Sequence, residues 1–113
     1  MKRSFVPSTS PAACNPVPPC ITIPNGPLVN YDRYTYTNSG PATCVQITIE
    51  TACSNLIYSA AYSGSFDTNN QCLGLLGDSG VITNSPLTYS VPVTSNGVFT
   101  VIVAGLTTNG CSA

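Results

Sequence analysis

Apolar and polar residues alternate along much of this chain, and the alternation predicts half-buried antiparallel strands. It is clearest between Cys44 and Cys53. There, three β-branched residues share one face and three polar residues share the other: Val45, Ile47 and Ile49 against Gln46, Thr48 and Glu50. A strand spanning the two cysteines would be about 30 Å long, whereas a disulfide needs Cα atoms within about 7 Å. Cys44 and Cys53 are therefore predicted to bond to other cysteines.

Further runs with strand character follow at short spacing, with turn residues between them. The run 98–106 is apolar on both faces, which indicates a central strand that is covered on both sides. Pro92 lies in the run 87–93, and because proline has no N–H to donate, this strand is predicted to lie at a sheet edge or to be bulged. The predicted strands are 31–37, 42–51, 56–62, 87–93 and 98–106, with a short apolar run at 72–76 closed by a turn at 77–80.

The strand pattern indicates an all-β fold. No stretch carries a sustained apolar period of 3.6 residues, so almost no helix is expected. We predict an antiparallel β-sandwich or jelly roll over residues 28–113. Residues 1–27 hold seven of the ten prolines, which favour extended conformations and exclude a central strand. We expect them to form an extended arm, held against its own domain or a neighbour. Its short apolar points are Phe5, Val6, Ile21 and Ile23.

The composition leaves two interpretations of the surface open. Charged residues make up only 6% of the chain, against about a quarter in an average protein. The chain is either a neutral extracellular β domain, or its surface is packed or glycosylated and so does not need charge for solubility. The nearest approach to an N-glycosylation site, at Asn84, has Pro86 in place of the required hydroxyl residue. Any sugar would therefore be O-linked to serine or threonine.

Scarce residue types exclude several functions. Lys2, Arg3 and Arg33 are the only basic residues, so the dense basic patch that nucleic-acid binding needs is missing. No run approaches 18 apolar residues, so no membrane-spanning helix is predicted. Six cysteines in a short chain without histidine indicate disulfides rather than zinc, and hence an oxidising, extracellular compartment. No apolar signal segment follows the basic start, so we expect an excised or mature piece, or another secretion route.

Six cysteines allow 15 disulfide pairings. Closeness in sequence favours one pair, and a second pair flanks the predicted strand at 56–62 and its loop. The third pair follows by elimination and would tie the strand at 42–51 to the last residues of the sequence. The predicted set is Cys14–Cys20, Cys53–Cys72 and Cys44–Cys111.

The chain offers little catalytic chemistry. Without histidine, Ser-His-Asp and Cys-His catalysis are impossible in their usual form. The four carboxylates fall in separate strands and loops without a shared motif, so an acid pair of the glycosidase type is not expected. We expect no enzyme and no cofactor.

A weak calcium candidate does not match the EF-hand spacing, and turn capping is the favoured interpretation of its residues. The carboxylates are Asp32, Glu50, Asp67 and Asp78, and the calcium candidates are Asp67, Asn69, Asn70 and Asp78.

Six segments together carry a family resemblance over most of the chain. They are Tyr31-Asp-x-Tyr-x-Tyr-Thr-Asn38, Cys44-Val-x-Ile-Thr-Ile-x-Thr-Ala-Cys53, Ser59-Ala-Ala-Tyr-x-Gly-Ser-Phe-Asp67, Leu76-Gly-Asp-Ser-Gly80, Tyr89-Ser-Val-Pro92, and Phe99-Thr-Val-Ile-Val103 with Gly110-Cys111. The pattern resembles a disulfide-containing repeat of large secreted bacterial surface proteins, similar in style to pre-peptidase C-terminal β-sandwich domains. The resemblance implies an extracellular, non-catalytic β-sandwich of surface or appendage proteins.

One departure from that pattern suggests a mode of assembly. Domains of the resembled type continue past the last cysteine with one more strand, whereas this sequence ends at Ala113. A sandwich short of a strand exposes unpaired backbone and an apolar groove, which a strand from another chain can fill. If the arm of each copy fills the next, the contact does not close and a linear or helical homopolymer results. We therefore expect a subunit of an extracellular filament or surface appendage. The alternative is a non-catalytic carbohydrate- or protein-binding module of a larger secreted protein.

Overall fold

The computed structural model describes residues 14, 31–50, 57–80 and 86–105, together with the strand pairing of residues 5–6 and 21–22. Within these ranges every regular element is a strand, every pairing is antiparallel, and no helix occurs. The all-β prediction is thereby confirmed. The strands are β1 (Phe5–Val6), β2 (Ile21–Thr22), β3 (Tyr31–Thr37), β4 (Thr43–Ile49), β5 (Ile57–Ser63), β6 (Leu75–Asp78), β7 (Leu87–Val93) and β8 (Val98–Gly105).

The described strands form three sheets. The largest has four strands in the order β3-β8-β5-β6, the second pairs β4 with β7, and the third pairs β1 with β2. β8 lies between β3 and β5, and every residue of it from Phe99 to Gly105 is buried. This confirms the prediction of a central strand covered on both sides. Among the described strands, β7 is hydrogen-bonded only to β4, which agrees with the edge position predicted from Pro92.

The four-stranded and two-stranded sheets share one apolar cluster. Strand alternation turns one face of β4 and β7 toward the inward face of β5 and β8, so that a shared apolar cluster forms between them. Each fully buried aliphatic or aromatic side chain stabilises the fold by about 1.5–3 kcal/mol relative to exposure. The buried members of this cluster are Ile47, Ala61, Tyr89, Val91, Val93, Phe99 and Val101.

The opposite face of the four-stranded sheet is covered by the segment 64–74. The Phe66 ring packs on Tyr62 with a centroid separation of 4.7 Å and meets Tyr31 edge-on at 5.8 Å. The Tyr62 hydroxyl, which is buried, donates a hydrogen bond to the backbone oxygen of Gln71 at 2.8 Å. Positive φ angles at Gly64 and Gly74 allow the chain to leave and rejoin the sheet around this cap. This face is therefore completed by the chain's own residues.

The turn predicted at 77–80 is partly wrong. β6 runs from Leu75 to Asp78, so that Gly77 pairs with Ala61 and Asp78 with Ala60. The buried Asp78 carboxylate accepts a hydrogen bond from the backbone N–H of Gly80 at 2.7 Å. Because this hydrogen bond gives the buried Asp78 carboxylate a partner within the turn, a polar residue is tolerated at the end of a buried edge strand.

Two of the predicted disulfides are wrong. Cys14 bonds to Cys44, with a Cα–Cα distance of 5.9 Å, which excludes the predicted bonds of Cys14 with Cys20 and of Cys44 with Cys111. The Cys14 N–H donates to the Ser90 oxygen of β7 at 3.2 Å. Cys14 is therefore held against both strands of the two-stranded sheet, by a hydrogen bond to β7 and by the disulfide to β4. This tertiary contact, and not closeness in sequence, determines its disulfide partner. Cys72 is also disulfide-bonded. Its partner lies outside the described residues, so the bond to Cys53 stays a prediction.

A buried hydroxyl network joins the two sheets. The Ser59 hydroxyl of β5 donates to the Ile102 oxygen of β8 at 2.7 Å, and its oxygen lies 2.8 Å from the Tyr89 hydroxyl of β7. Since Ser59 has a single hydroxyl proton, which goes to Ile102, Tyr89 is the donor in the second bond. This bond is a specific polar tie between layers that are otherwise held by apolar contact.

The network predicts unequal effects of two single-group deletions. Ser59→Ala leaves both the Tyr89 hydroxyl and an Ile102 acceptor site without this partner, and we expect it to lower the free energy of unfolding by about 1–3 kcal/mol. Tyr89→Phe leaves the Ser59–Ile102 bond in place and costs about 1 kcal/mol. Urea unfolding of the two variants beside the wild type measures both values. An equal or reversed order would contradict the assigned donor.

The buried tyrosines predict loss of stability at high pH. Burial raises the pKa values of Tyr62 and Tyr89 above the ordinary 10.0. Above pH 10 these groups ionise in the unfolded chain before they ionise in the folded one. The stability that the neutral, buried tyrosines give the fold is therefore fully present below pH 10 and is lost as the pH rises above it. Each lowers the free energy of unfolding by about 1.4 kcal/mol per pH unit there. Tyr89→Phe should flatten this decline in urea titrations from pH 9 to 12; an unchanged slope would refute the assignment.

The Cys14–Cys44 bond predicts a stability loss that does not abolish the fold. It closes a loop of sequence separation 30, so its removal lowers the free energy of unfolding by up to about 3–4 kcal/mol in the chain-entropy estimate. The variant that checks this replaces both cysteines by serine, because a single replacement leaves a thiol that can attack other disulfides. Peptide mapping of the oxidised wild type must recover residues 14 and 44 in one linked species.

Candidate functional site

An open groove of about 430 Å³ lies between β3 of the four-stranded sheet and β4 of the two-stranded sheet. Its floor is apolar, with Phe99, Val101 and Val103 of β8 and the inward residues of β4. All residues from 45 to 50 line one wall of the groove. Since these residues alternate between the two faces of β4, the wall is the edge of the strand rather than one of its faces. The described lining residues are Tyr34, Tyr36, Val45, Gln46, Ile47, Thr48, Ile49, Glu50, Phe99, Val101 and Val103.

The groove exists because the two sheets differ in width. β7 contacts β5 and β6 at one side of the molecule, which leaves the inward face of β3 beyond the reach of β4. Tyr34 and Tyr36, which occupy that face, are 38% and 51% exposed. Tyr36 rests on Phe99 of the floor, with ring centroids 5.5 Å apart. Aromatic and aliphatic surface that would normally be covered by a strand is thus open to solvent.

Among the described residues, β4 has a hydrogen-bonded neighbour only on its β7 side, and its other edge is here called the free edge. Pro92 of β7 lies opposite Cys44, and proline is tolerated there only if the position of its missing N–H faces away from β4. The Ser90 oxygen accepts a hydrogen bond from the Cys14 N–H, so it also points away from β4. Because backbone groups alternate in direction along an antiparallel pair, the β4 residues opposite these two positions direct their own N–H and C=O away from β7. Cys44, Gln46 and Thr48 therefore present their backbone groups at the free edge.

One end of the groove is acidic. Glu50 lines this end, and Asp32 lies opposite Val103 of the floor in the β3–β8 register. The Asp32 Oδ2 atom is buried and has no hydrogen-bond partner among the described residues. Burial, followed by the nearby Asp32 charge, raises the pKa of Tyr34. No basic residue is among the described lining residues, since Arg33 turns to the opposite face, over Phe66.

Two of the four calcium candidates, Asp67 and Asp78, accept hydrogen bonds within turns. Asp67 Oδ1 accepts from the Asn69 N–H at 2.8 Å, and the Asn70 N–H donates to the Asp67 backbone oxygen at 3.1 Å. Asp78 caps Gly80 in the same way. Each of these two carboxylates thus accepts from the backbone N–H two residues ahead, as in an Asx turn. In the described part of the chain, no group of three or more acidic, cysteine or histidine residues is placed to hold a metal ion.

The predicted assembly residues lie in the short third sheet. Phe5 pairs with Thr22, and Val6 pairs with Ile21; Ile23 lies outside the described residues. This third sheet is separate in hydrogen bonding from β4 and its free edge. The four carboxylates also stay apart, since Asp67 and Asp78 serve turns and only Asp32 and Glu50 lie toward one end of the groove.

Sequence reasoning expected an incomplete sheet but did not locate its edge. The signal was present in two places: Tyr34 and Tyr36 alternate with polar residues, and the inward face of β4 is aliphatic over its full length. What the pattern could not supply is the pairing that brings these two strands to opposite sides of one opening.

Comparison with known proteins adds no relative. No family model, no curated protein and no solved structure matches this chain. In the part of the chain that the structure describes, no helix has the length and apolar character needed to cross a membrane. The site's own geometry therefore carries the functional argument.

Proposed function

We propose that this chain is a structural, non-catalytic subunit of an extracellular filament or surface appendage. Its copies join head to tail when an extended N-terminal segment of one copy adds to the incomplete sheet of the next. In this proposal residues 28–113 are a β-sandwich or jelly roll, and residues 1–27 are the arm that supplies the donated segment. The observation that carries the proposal is the groove beside the free edge of β4.

Three properties of the groove support strand addition. Its wall is a strand edge with backbone groups directed outward, which is the template that β-augmentation uses. Its floor is apolar, with Phe99 and Val101 of the core cluster among the lining residues, so burial by an added strand would contribute hydrophobic free energy. A groove that is filled by a different segment of the next copy makes a heterologous contact, which extends without closing.

The disulfides support an extracellular compartment. The Cys14–Cys44 bond and the disulfide of Cys72 are compatible with an oxidising environment. Disulfides would also give durability to a domain with a small core. With a net charge of −1, the chain has little electrostatic repulsion to oppose close packing of copies.

The exposed tyrosines favour one alternative. Tyr34 and Tyr36 present their rings at the groove beside the polar side chains of Gln46 and Glu50, and aromatic rings with adjacent polar groups can bind sugars. A carbohydrate-binding module would stay monomeric and bind oligosaccharides, whereas a filament subunit forms long polymers. Electron microscopy and light scattering of the purified full chain separate the two functions.

Two proline substitutions, one at the free edge of β4 and one at the far edge of β7, test the proposal. Thr48→Pro removes a backbone N–H that faces the groove, while its β4–β7 pairing stays intact. We expect this variant to lose filaments in electron micrographs. Thr88→Pro is the matched control, because Thr88 lies directly opposite Thr48 and its backbone N–H faces the far edge of β7. This control should still assemble.

Folding of both variants is checked by urea unfolding before assembly is scored. Filaments formed by Thr48→Pro, or lost equally in both variants at equal stability, would contradict assembly through the β4 edge.

A further inference from the structure

We infer that the occupant of the groove is residues 2–8 of a second copy of this chain, running antiparallel to β4 with Lys2 opposite Glu50 and Phe5 opposite Ile47. This inference rests on the proposed function and names its donor, direction and register. It is carried by charge complementarity, by the position of a proline, and by the short pairing of the same residues in the free chain.

Charge sets the direction. Two of the three basic residues of the chain, Lys2 and Arg3, stand just before the apolar pair Phe5–Val6. The groove is acidic at its Glu50 end and apolar toward Val45. A segment that places its basic residues at the acidic end must run opposite to β4, and antiparallel pairing is the only kind found among the described strands. The basic residues then also approach Asp32, whose Oδ2 atom is buried without a described partner.

Proline sets the register. The backbone groups of β4 that face the groove belong to Gln46, Thr48 and the other residues of the same parity. A donor needs an N–H opposite each of them, so Pro7 must lie opposite an inward residue such as Val45. This condition allows registers that differ by two residues and excludes those that differ by one. Among the allowed registers, only the one with Lys2 opposite Glu50 pairs a basic residue directly with the acid.

In that register the donor also has the right side-chain pattern. Phe5 and Pro7 face the apolar floor beside Ile47 and Val45, because residues directly opposite each other in an antiparallel pair point to the same face. Ser4 faces outward opposite Thr48, which is exposed. The inward set thus holds Phe5 and Pro7 over the apolar floor, with Arg3 opposite Ile49 at the acidic end. Val6 faces outward with Lys2 and Ser4.

Within a single copy, the donor segment is held by only a short strand pairing, which another strand could replace. Phe5 and Val6 pair with only two residues, Thr22 and Ile21, and an isolated two-stranded ladder is marginal in water. Docking beside β4 replaces this two-residue ladder with one that spans most of a seven-residue strand. Cys14, bonded to Cys44, fixes the base of the arm to its own domain and leaves residues 2–8 on the far side of the bond.

Intermolecular disulfide trapping tests the register. One full-length chain carries Ser4→Cys and the other carries Thr48→Cys; the two are mixed, assembled and oxidised mildly. Opposed residues of a hydrogen-bonded pair lie about 5.5 Å apart at Cα, within the range that a disulfide spans. We expect a covalent dimer in this mixture. The matched control mixes Ser4→Cys with Gln46→Cys, where the diagonal separation of about 7–8 Å should abolish the link.

The outcomes separate this inference from the function it rests on. If the wild-type chain forms no filaments, the proposed function fails. If filaments form but Ser4→Cys links to Gln46→Cys, or to neither partner, the register is wrong while the function stands. A single chain that carries both Ser4→Cys and Thr48→Cys and cross-links within a monomer would show that the arm fills its own groove, and it would overturn the second copy as occupant.

Discussion

The structure depends on a mismatch in width between its two packed sheets. Strands lie about 4.8 Å apart, so a four-stranded sheet offers far more inward surface than a two-stranded sheet can cover. β7 contacts β6 and β5, which closes one side. The shortfall is concentrated at the other side, where β3 and β4 face each other across the groove. The exposed tyrosines, the free strand edge and the buried Asp32 oxygen all belong to that uncovered margin.

The two faces of the large sheet are completed in different ways. On the outer face, the segment 64–74 folds back, and Phe66 and the Tyr62–Gln71 hydrogen bond seal the surface within one chain. On the inner face, the cluster around Val91 and Val101 is finished only where β4 and β7 lie over it. The chain therefore has a loop to cap one face and, among its described residues, no strand to finish the other. The uncovered apolar surface of the described sheets therefore lies on the inner face.

Local pattern predicted the strands well because alternation is a local property. β3 and β7 have the predicted bounds, and β8 is central because both of its faces are apolar. The disulfide of Cys14 could not be obtained in this way, since it depends on which strand lies beside β7 and not on spacing in sequence. β6 was misjudged for a related reason: Gly77 and Asp78 have turn propensity, and their pairing with β5 overrides it. The groove likewise depends on long-range pairing, which a single sequence does not encode visibly.

The position of the Cys14–Cys44 bond has a mechanical consequence for a polymer built through the groove. Tension passed along such a polymer would enter each subunit at its arm and reach Cys14 before any residue of the four-stranded or two-stranded sheet. The covalent link then carries it directly to the start of β4, the strand beside which the next arm lies. The segment between the two cysteines would be bypassed. At the junction, the antiparallel register places residue 8 of the donor beside Cys44, so both strands would be pulled at the same end of the ladder. The hydrogen bonds would then open one after another from that end, and the bond that shields the rest of the subunit would leave the junction as the first part to yield.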